Sequence, residues 1–389
     1  MNTSATCLSA LIVVAACSGE VPESNAVVRD SAGITIVENA APVWPEGRGW
    51  RVADDPSLTI GVLEGPEEYQ LFRVRSAVRF DDGRIAVANG GSFQLRFYDA
   101  RGTFLESVGG EGAGPGEFGP FMGEIWRAEG DSLVIYDYTN AMRLSVFDAQ
   151  GTFGRAFRLE PASTSIPLAD DLIWRNTVVS RSGIYPPGDQ ADGLRRDSAL
   201  YCTHAMDGTV LDTLGRFPGS ELYARNMGEG SSVAVARPYG RQPQSAATAD
   251  HWYFGSGDRY EIGGYNRSGA LDRLIRRDVV NRPVTQDLLE NLQLRRPGAL
   301  RAEISVPETM PAYGRLLGDV DGNLWVQEYR IDDEPERWAV FDPDGRFLGI
   351  VQMPEPGRVT EIGSDYVLGI WTDEMDVEQV RLYALAKNE

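Results

Sequence analysis

Lysine is all but missing from this chain of 389 residues: Lys387 is the only one, so nearly all of the positive charge is arginine. Basic residues number 37 against 57 acidic ones, for a formal net charge of -20. A nucleic-acid binder carries a basic face, and no basic patch runs through this sequence, so that class is excluded. The acidity fits solubility in an exposed compartment, or an acidic rim that draws in a cationic ligand. Histidine is nearly as scarce, with His204 and His251 alone. The three cysteines, Cys7, Cys17 and Cys202, form neither a disulfide framework nor a zinc spacing. Cys202 sits in the alternating run Leu200-Tyr201-Cys202-Thr203-His204-Ala205 and reads as a buried strand thiol, because a catalytic cysteine needs a base and an orienting partner. No Gly-Xaa-Ser-Xaa-Gly elbow occurs.

Long hydrophobic runs are lacking too. Residues 8 to 16 form an apolar segment too short to span a bilayer, and small residues lead from it into Cys17. Residues 18 to 33 are small, polar and acidic, and read as a flexible tether.

What the chain has is a repeated turn. Asp99-Ala100-Arg101-Gly102-Thr103-Phe104 returns as Asp148-Ala149-Gln150-Gly151-Thr152-Phe153, and more loosely at 206–211, 266–271 and 342–347. Each copy lies between alternating apolar runs, as a hairpin turn does: the Asp or Asn side chain caps the turn and the Gly takes a positive φ. The copies mark one antiparallel unit repeated along the chain. The first unit runs from Arg75 to Val108 and the second from Glu124 to Leu159. The third is looser, around 172–179 and 199–217, and the fourth covers His251 to Ile275. A short amphipathic helix near 284–296, with Thr285 as N-cap and 288, 289 and 292 apolar, interrupts before the fifth unit at 314–351. The sixth, from Val359 to Leu385, lacks a fourth strand, and Ser57 to Val62 is a strand with no neighbour to pair with. The two complete each other. The expected fold is an all-β, six-bladed β-propeller of four-stranded antiparallel blades spanning 34–389, closed by an N-terminal strand.

Residues 58–118, with Val108-Gly109-Gly110-Glu111-Gly112-Ala113-Gly114-Pro115-Gly116-Glu117-Phe118, and residues 311–326 resemble bacterial six-bladed β-propeller lipoproteins related to NHL repeats. Val14-Ala15-Ala16-Cys17 is similar to a lipobox, although Met1 to Thr6 has no Lys or Arg. The resemblance implies a signal peptide over 1–16, lipidation at Cys17, a tether over 17–33 and a place in the bacterial cell envelope. Ser18 after the cysteine implies the outer membrane, facing the periplasm or the cell surface. The expected protein is a monomer, held to the membrane by its lipid alone, that binds a protein, peptide or glycan.

No catalytic or metal constellation stands out. The glycine run 109–116 lacks the Gly-Lys-Ser/Thr ending of a phosphate loop and is followed by a strand, so it reads as a connection. Asp319-Val320-Asp321-Gly322-Asn323 resembles the start of a calcium loop, but Arg330 stands where its bidentate Glu belongs. Calcium is therefore a minor reading, with Asn140, Asn226, Asn323, Glu124 and Glu328 as conceivable oxygen donors. Arg75, Tyr138, Arg175, Tyr313 and Trp325 lie near strand starts or loops, where they line a channel mouth or pack between blades. The expected function is membrane-anchored binding or scaffolding with no catalytic site; the alternative is a metal-dependent lactonase- or lyase-like propeller enzyme using the central channel.

Overall fold

A computed structural model describes residues 26–140, 142–183, 192–228, 231–295, 298, 304–331 and 333–387. The signal segment, Cys17 and the first part of the tether lie outside the described residues. The chain is nearly all β, organised on six short first strands: β1 (Val74–Arg79), β2 (Met122–Arg127), β3 (Leu168–Ile173), β4 (Gln244–Ala247), β5 (Leu316–Gly318) and β6 (Arg358–Ile362). Each begins an antiparallel sheet in which the chain steps outward. The repeated turns make these steps possible. Asp99 Oδ1 accepts from the Arg101 and Thr103 amides at 2.8 Å each, and Asp148 and Asp342 repeat the arrangement. Gly102, Gly151 and Gly345 turn the chain at φ 79, 76 and 83°.

Two sheets depart from four plain strands. In the sixth, Leu58–Ile60 pairs antiparallel with Glu378–Ala386, and Arg51–Val52 pairs further along the same strand. In the fourth, Ile34–Asn39 lies parallel to Leu271–Arg277, and Ala26–Ser31 pairs antiparallel outside it. The latter half of the expected tether is thus a sheet-edge strand, in which Val27 and Val28 pair with Glu38 and Val37. The third unit is wider than expected, running from β3 to Val210–Pro218. A small three-stranded sheet that sequence reading missed, Gly193–Arg195, Leu222–Gly228 and Ser231–Ala236, grows from its insertions. The helical insert is present as Gln286–Arg295, with Leu288, Leu289 and Leu292 half-buried and the intervening residues exposed. Among the described residues no helix is long and apolar enough to cross a membrane.

The apolar core lies between sheets rather than within any one of them. Six buried clusters are each shared by two sheets, and one of them joins the sixth sheet (Tyr366, Leu368, Ile370) to the first (Val74, Ala77, Ile85). The central strands are therefore apolar on both faces. Trp252 packs towards the third sheet with Tyr201 and Ile173, whereas Tyr253, pointing the other way, packs towards the fifth with Leu324 and Phe341. The first strands touch in the same order: β1 with β2, β2 with β3, β3 with β4, β4 with β5, β5 with β6, and β6 with β1.

Lys387 fastens the C-terminal end. Its ammonium lies 3.3 Å from Asp319 and 2.5 Å from Asp321, and 4.4 Å from the ring centroid of Trp50. Asp319 also accepts from the amides of Asp321 and Asn323, the Asn323 side chain and the Trp325 indole. The calcium-like stretch is a hairpin turn whose carboxylate is fully occupied.

The contact between β4 and β5 leaves no room for a side chain. A Cβ on Gly318 would stand 1.8 Å from the Ala247 carbonyl oxygen, backbone against backbone. Gly318→Ala must push the two sheets apart. We expect a loss of at least about 1–3 kcal/mol, the usual cost of overpacking, read as a lower urea midpoint; an unchanged midpoint would refute this account of the sheet contact.

Candidate functional site

The first strands surround two cavities that share Ile125, Trp126, Leu172, Ala247, Gly318 and Thr360 and open at opposite ends. The cavity at the strand heads, of about 270 Å³, is the more polar. The four connections 110–121, 159–167, 219–243 and 278–315 each lead into the head of a first strand, so the longest loops and the helix gather at this end. Arginines tie the rim together: Arg237 donates to the Ser305 carbonyl at 2.7 Å, Arg241 to that of Thr309 at 2.8 Å, and Arg282 pairs with Glu334 at 2.7 Å.

Irregularities in the first strands set the lining. The register slips between Val74 and Ser76 on β1, between Ala169 and Asp171 on β3 and between Val359 and Glu361 on β6. It slips again where β2 passes Gly123 and Glu124. A bulge re-aims the residue it inserts. Asp170 and Asp171 therefore both reach the cavity, although consecutive strand residues normally face opposite ways.

The charges are sorted by side. Glu124 on β2 and Asp170 and Asp171 on β3 form an acidic half. Arg315, at the head of β5, and Arg358 on β6 form a basic half. Along the ring of strand contacts β2 and β5 are three steps apart, as are β3 and β6, so the acids face the arginines. Gln244, Ser245, Ser76 and Thr360 fill the wall between. Asp170 is occupied: it pairs with Arg181 at 2.9 Å and accepts from Ser245 Oγ at 2.8 Å. Among the described residues Asp171 has no cationic partner. Burial, reinforced by Asp170 and Glu124, pushes its carboxyl up to about 8. Arg315 and Arg358 donate to backbone carbonyls, Arg315 to Val359 at 3.0 Å and Arg358 to Val74 at 2.5 Å and to Arg75. Burial draws both guanidiniums below the usual arginine range, with Glu124 opposing.

The opposite cavity, of about 320 Å³, holds charges already matched. Arg127 bonds Asp81 at 2.6 Å and Asp131 at 2.5 Å, and Glu361 accepts from the Arg79 amide at 2.9 Å and from the Tyr366 hydroxyl.

The residues singled out from sequence scatter. Tyr138 is exposed and does not line the head cavity, but it lies within electrostatic reach of Arg181, Asp170 and Glu124. Arg75 precedes the cavity wall on β1, its side chain running back over Gly90. Arg175 belongs to the opposite cavity, 3.9 Å from Asp131. Tyr313 and Trp325, at 2% and 0% exposure, are core residues and offer no surface to a ligand. Strand alternation turned them inward, and aromatics are the largest fillers available between sheets. Of the conceivable calcium donors, Glu124 alone lines the head cavity. Glu328 pairs with Arg277 and Arg337, and Asn323 and Asn140 bond within their own turns. Among the described residues no group of three or more His, Cys, Asp or Glu is arranged to hold a metal ion. His204 is fully buried, its ring between Ser180 Oγ at 2.7 Å and the Gly208 carbonyl at 3.1 Å. Burial also raises the Cys202 thiol, in keeping with an inert strand residue.

No family model matches the sequence, and no curated protein matches it. Several solved structures are similar in shape. A candidate exported protein from Bacteroides fragilis is 10% identical, with 91% of this chain and 100% of that chain covered and a TM-score of 0.49. Virginiamycin B lyase from Staphylococcus aureus is 10% identical over 81% of this chain and 95% of its own, with a TM-score of 0.39. A gluconolactonase from Xanthomonas campestris is 14% identical over 80% and 87%, with a TM-score of 0.38. At such values they are likenesses of form and say nothing of this chain's chemistry.

The raised Asp171 carboxyl gives a signed expectation. Between the unfolded value near 3.8 and the folded value of about 8, the native state holds a proton that the unfolded chain has lost. Its contribution to stability is full below the lower value and is lost as pH rises through the higher one. Asp171→Asn, neutral throughout, should match the parent at pH 4 and become progressively the more stable of the two towards pH 8. Parallel urea midpoints across that range would overturn the assignment.

Proposed function

We propose that this chain is a membrane-anchored binding propeller whose ligand enters the cavity at the heads of the first strands. The observation that carries the reading is the opposition there of half-buried arginines, Arg315 and Arg358, to half-buried Asp170 and Asp171 and exposed Glu124, on strands packed together by apolar contact. Buried charge is costly to keep unless something offsets it, and cavities with perturbed titrating groups are where ligands act. We read the fold as six blades closed by the N-terminal strand Leu58–Ile60; the cyclic order of strand contacts and the six shared apolar clusters support this. On this reading residues 1–16 are removed and Cys17 is acylated, leaving the propeller on the envelope membrane. The strand Ala26–Ser31 leaves only residues 17–25 as tether, which spans at most roughly 30 Å when extended. The body would therefore stay close to the lipid surface.

Two measurements test the proposal. In a lipoprotein-processing bacterial host, labelled palmitate should enter the wild-type chain and not Cys17→Ser, which should leave the membrane fraction. Label in both forms, or in neither, rejects the anchor. Envelope components captured on the immobilised full-length chain should be lost with Arg358→Met. If capture is unaffected by that change, the head cavity is not the binding place.

A further inference from the structure

Two features of the head cavity remain without a counterpart in the protein. Among the described residues Arg315 and Arg358 form no ion pair, and their hydrogen bonds go to backbone carbonyls. Across from them Glu124 projects into the space with neither an ion pair nor a hydrogen bond among the described residues, beside Asp171, which also lacks a cation. Glu124 lies within electrostatic reach of both arginines without touching either. A gap therefore separates the positive from the negative wall, and the charges have not collapsed onto one another across it. A simple anion would satisfy the arginines and be repelled by Glu124; a simple cation would meet the reverse. One molecule carrying both signs satisfies both walls.

We infer that the cavity takes a zwitterion, a free α-amino acid or a short peptide, with its carboxylate between Arg315 and Arg358 and its ammonium against Glu124 and Asp171. This rests on the reading that the head cavity is the ligand site. Arginine's planar fork suits the carboxylate end, where Lys would offer only a point charge. A space of about 270 Å³ suits one or two residues and excludes a folded domain. Asp171 adds a signature: a cation arriving beside a carboxyl held protonated near neutral pH favours its ionised form, so binding should expel a proton.

The test is calorimetric titration of the full-length chain in detergent micelles at pH 7. The ligands are the twenty amino acids and simple dipeptides such as Gly-Gly and Ala-Ala. At least one should bind below millimolar concentration and weaken tenfold or more when its amine is acetylated, and again when its carboxyl is amidated. Glu124→Gln and Arg358→Met should each weaken it to a similar degree. Heats measured in Tris and in phosphate should differ as proton release requires. If the acetylated form binds as well as its parent and Arg358→Met abolishes both, the cavity is an anion site: the zwitterion is overturned while the head-cavity reading survives. If the zwitterion binds but neither variant alters it, both fall. If no member of the panel binds, the inference is rejected outright, and loss of envelope capture in Arg358→Met decides separately whether the cavity is the ligand site.

Discussion

The structure depends on apolar contact between sheets that cannot bury themselves. Each sheet is a few short strands with two apolar faces, and each face is covered only by a neighbour. The core of the described residues is therefore a set of separate clusters, each held jointly by two neighbouring sheets. Removing a fully buried aromatic such as Trp252 would cost about 3–5 kcal/mol, and the loss would be felt on both sides of the junction. The first strands approach closely enough that Gly318 and Ala247 meet through their backbones.

That packing is what gives the centre its chemistry. Surrounding strands that are apolar on their outer flanks make the middle a poor place for charge, and this raises the Asp171 carboxyl and lowers the Arg315 and Arg358 guanidiniums. Bulges supply the aim. Without the register slip at Asp170, one of the two adjacent aspartates would point away from the cavity. The loops and the helix then add a rim at the same end, fixed by arginine bonds to backbone and carboxylate. Rigid walls and sorted charge arise from the same arrangement.

Most of the strand pattern was legible because the repeated Asp and Gly turns fix hairpins locally, within a few residues. The pairing of Leu58–Ile60 with the last sheet could be posed from sequence because both partners lacked a neighbour. The site was much less legible. In the sequence Glu124 reads only as one of several oxygen donors, and no motif marks Asp170, Asp171, Arg315 or Arg358. Their signal is present all the same: two successive acids inside the otherwise mostly apolar strand Leu168–Ile173 have no place in a plain alternating strand. Tyr313 and Trp325 misled because an aromatic near a strand start has the same local appearance whether it faces a channel or a neighbouring sheet. Which of the two it faces is decided by register, and bulges change register without leaving a distinctive residue type behind. The strand Ala26–Ser31 was missed because its exposed, polar-rich composition belongs equally to a tether and to a sheet edge.

Lys387 has a practical meaning beyond its role as a fastener. It is the only ε-amine in the chain, and two carboxylates and an indole already surround it. Amine-directed crosslinkers and biotinylation reagents would meet one hindered nucleophile at the C-terminal end, and an acylated Cys17 would remove the α-amine as well. A partner seated at the strand heads would escape such reagents however tightly it was held. Coupling through the 57 acidic residues would reach the surfaces that amine chemistry leaves blank.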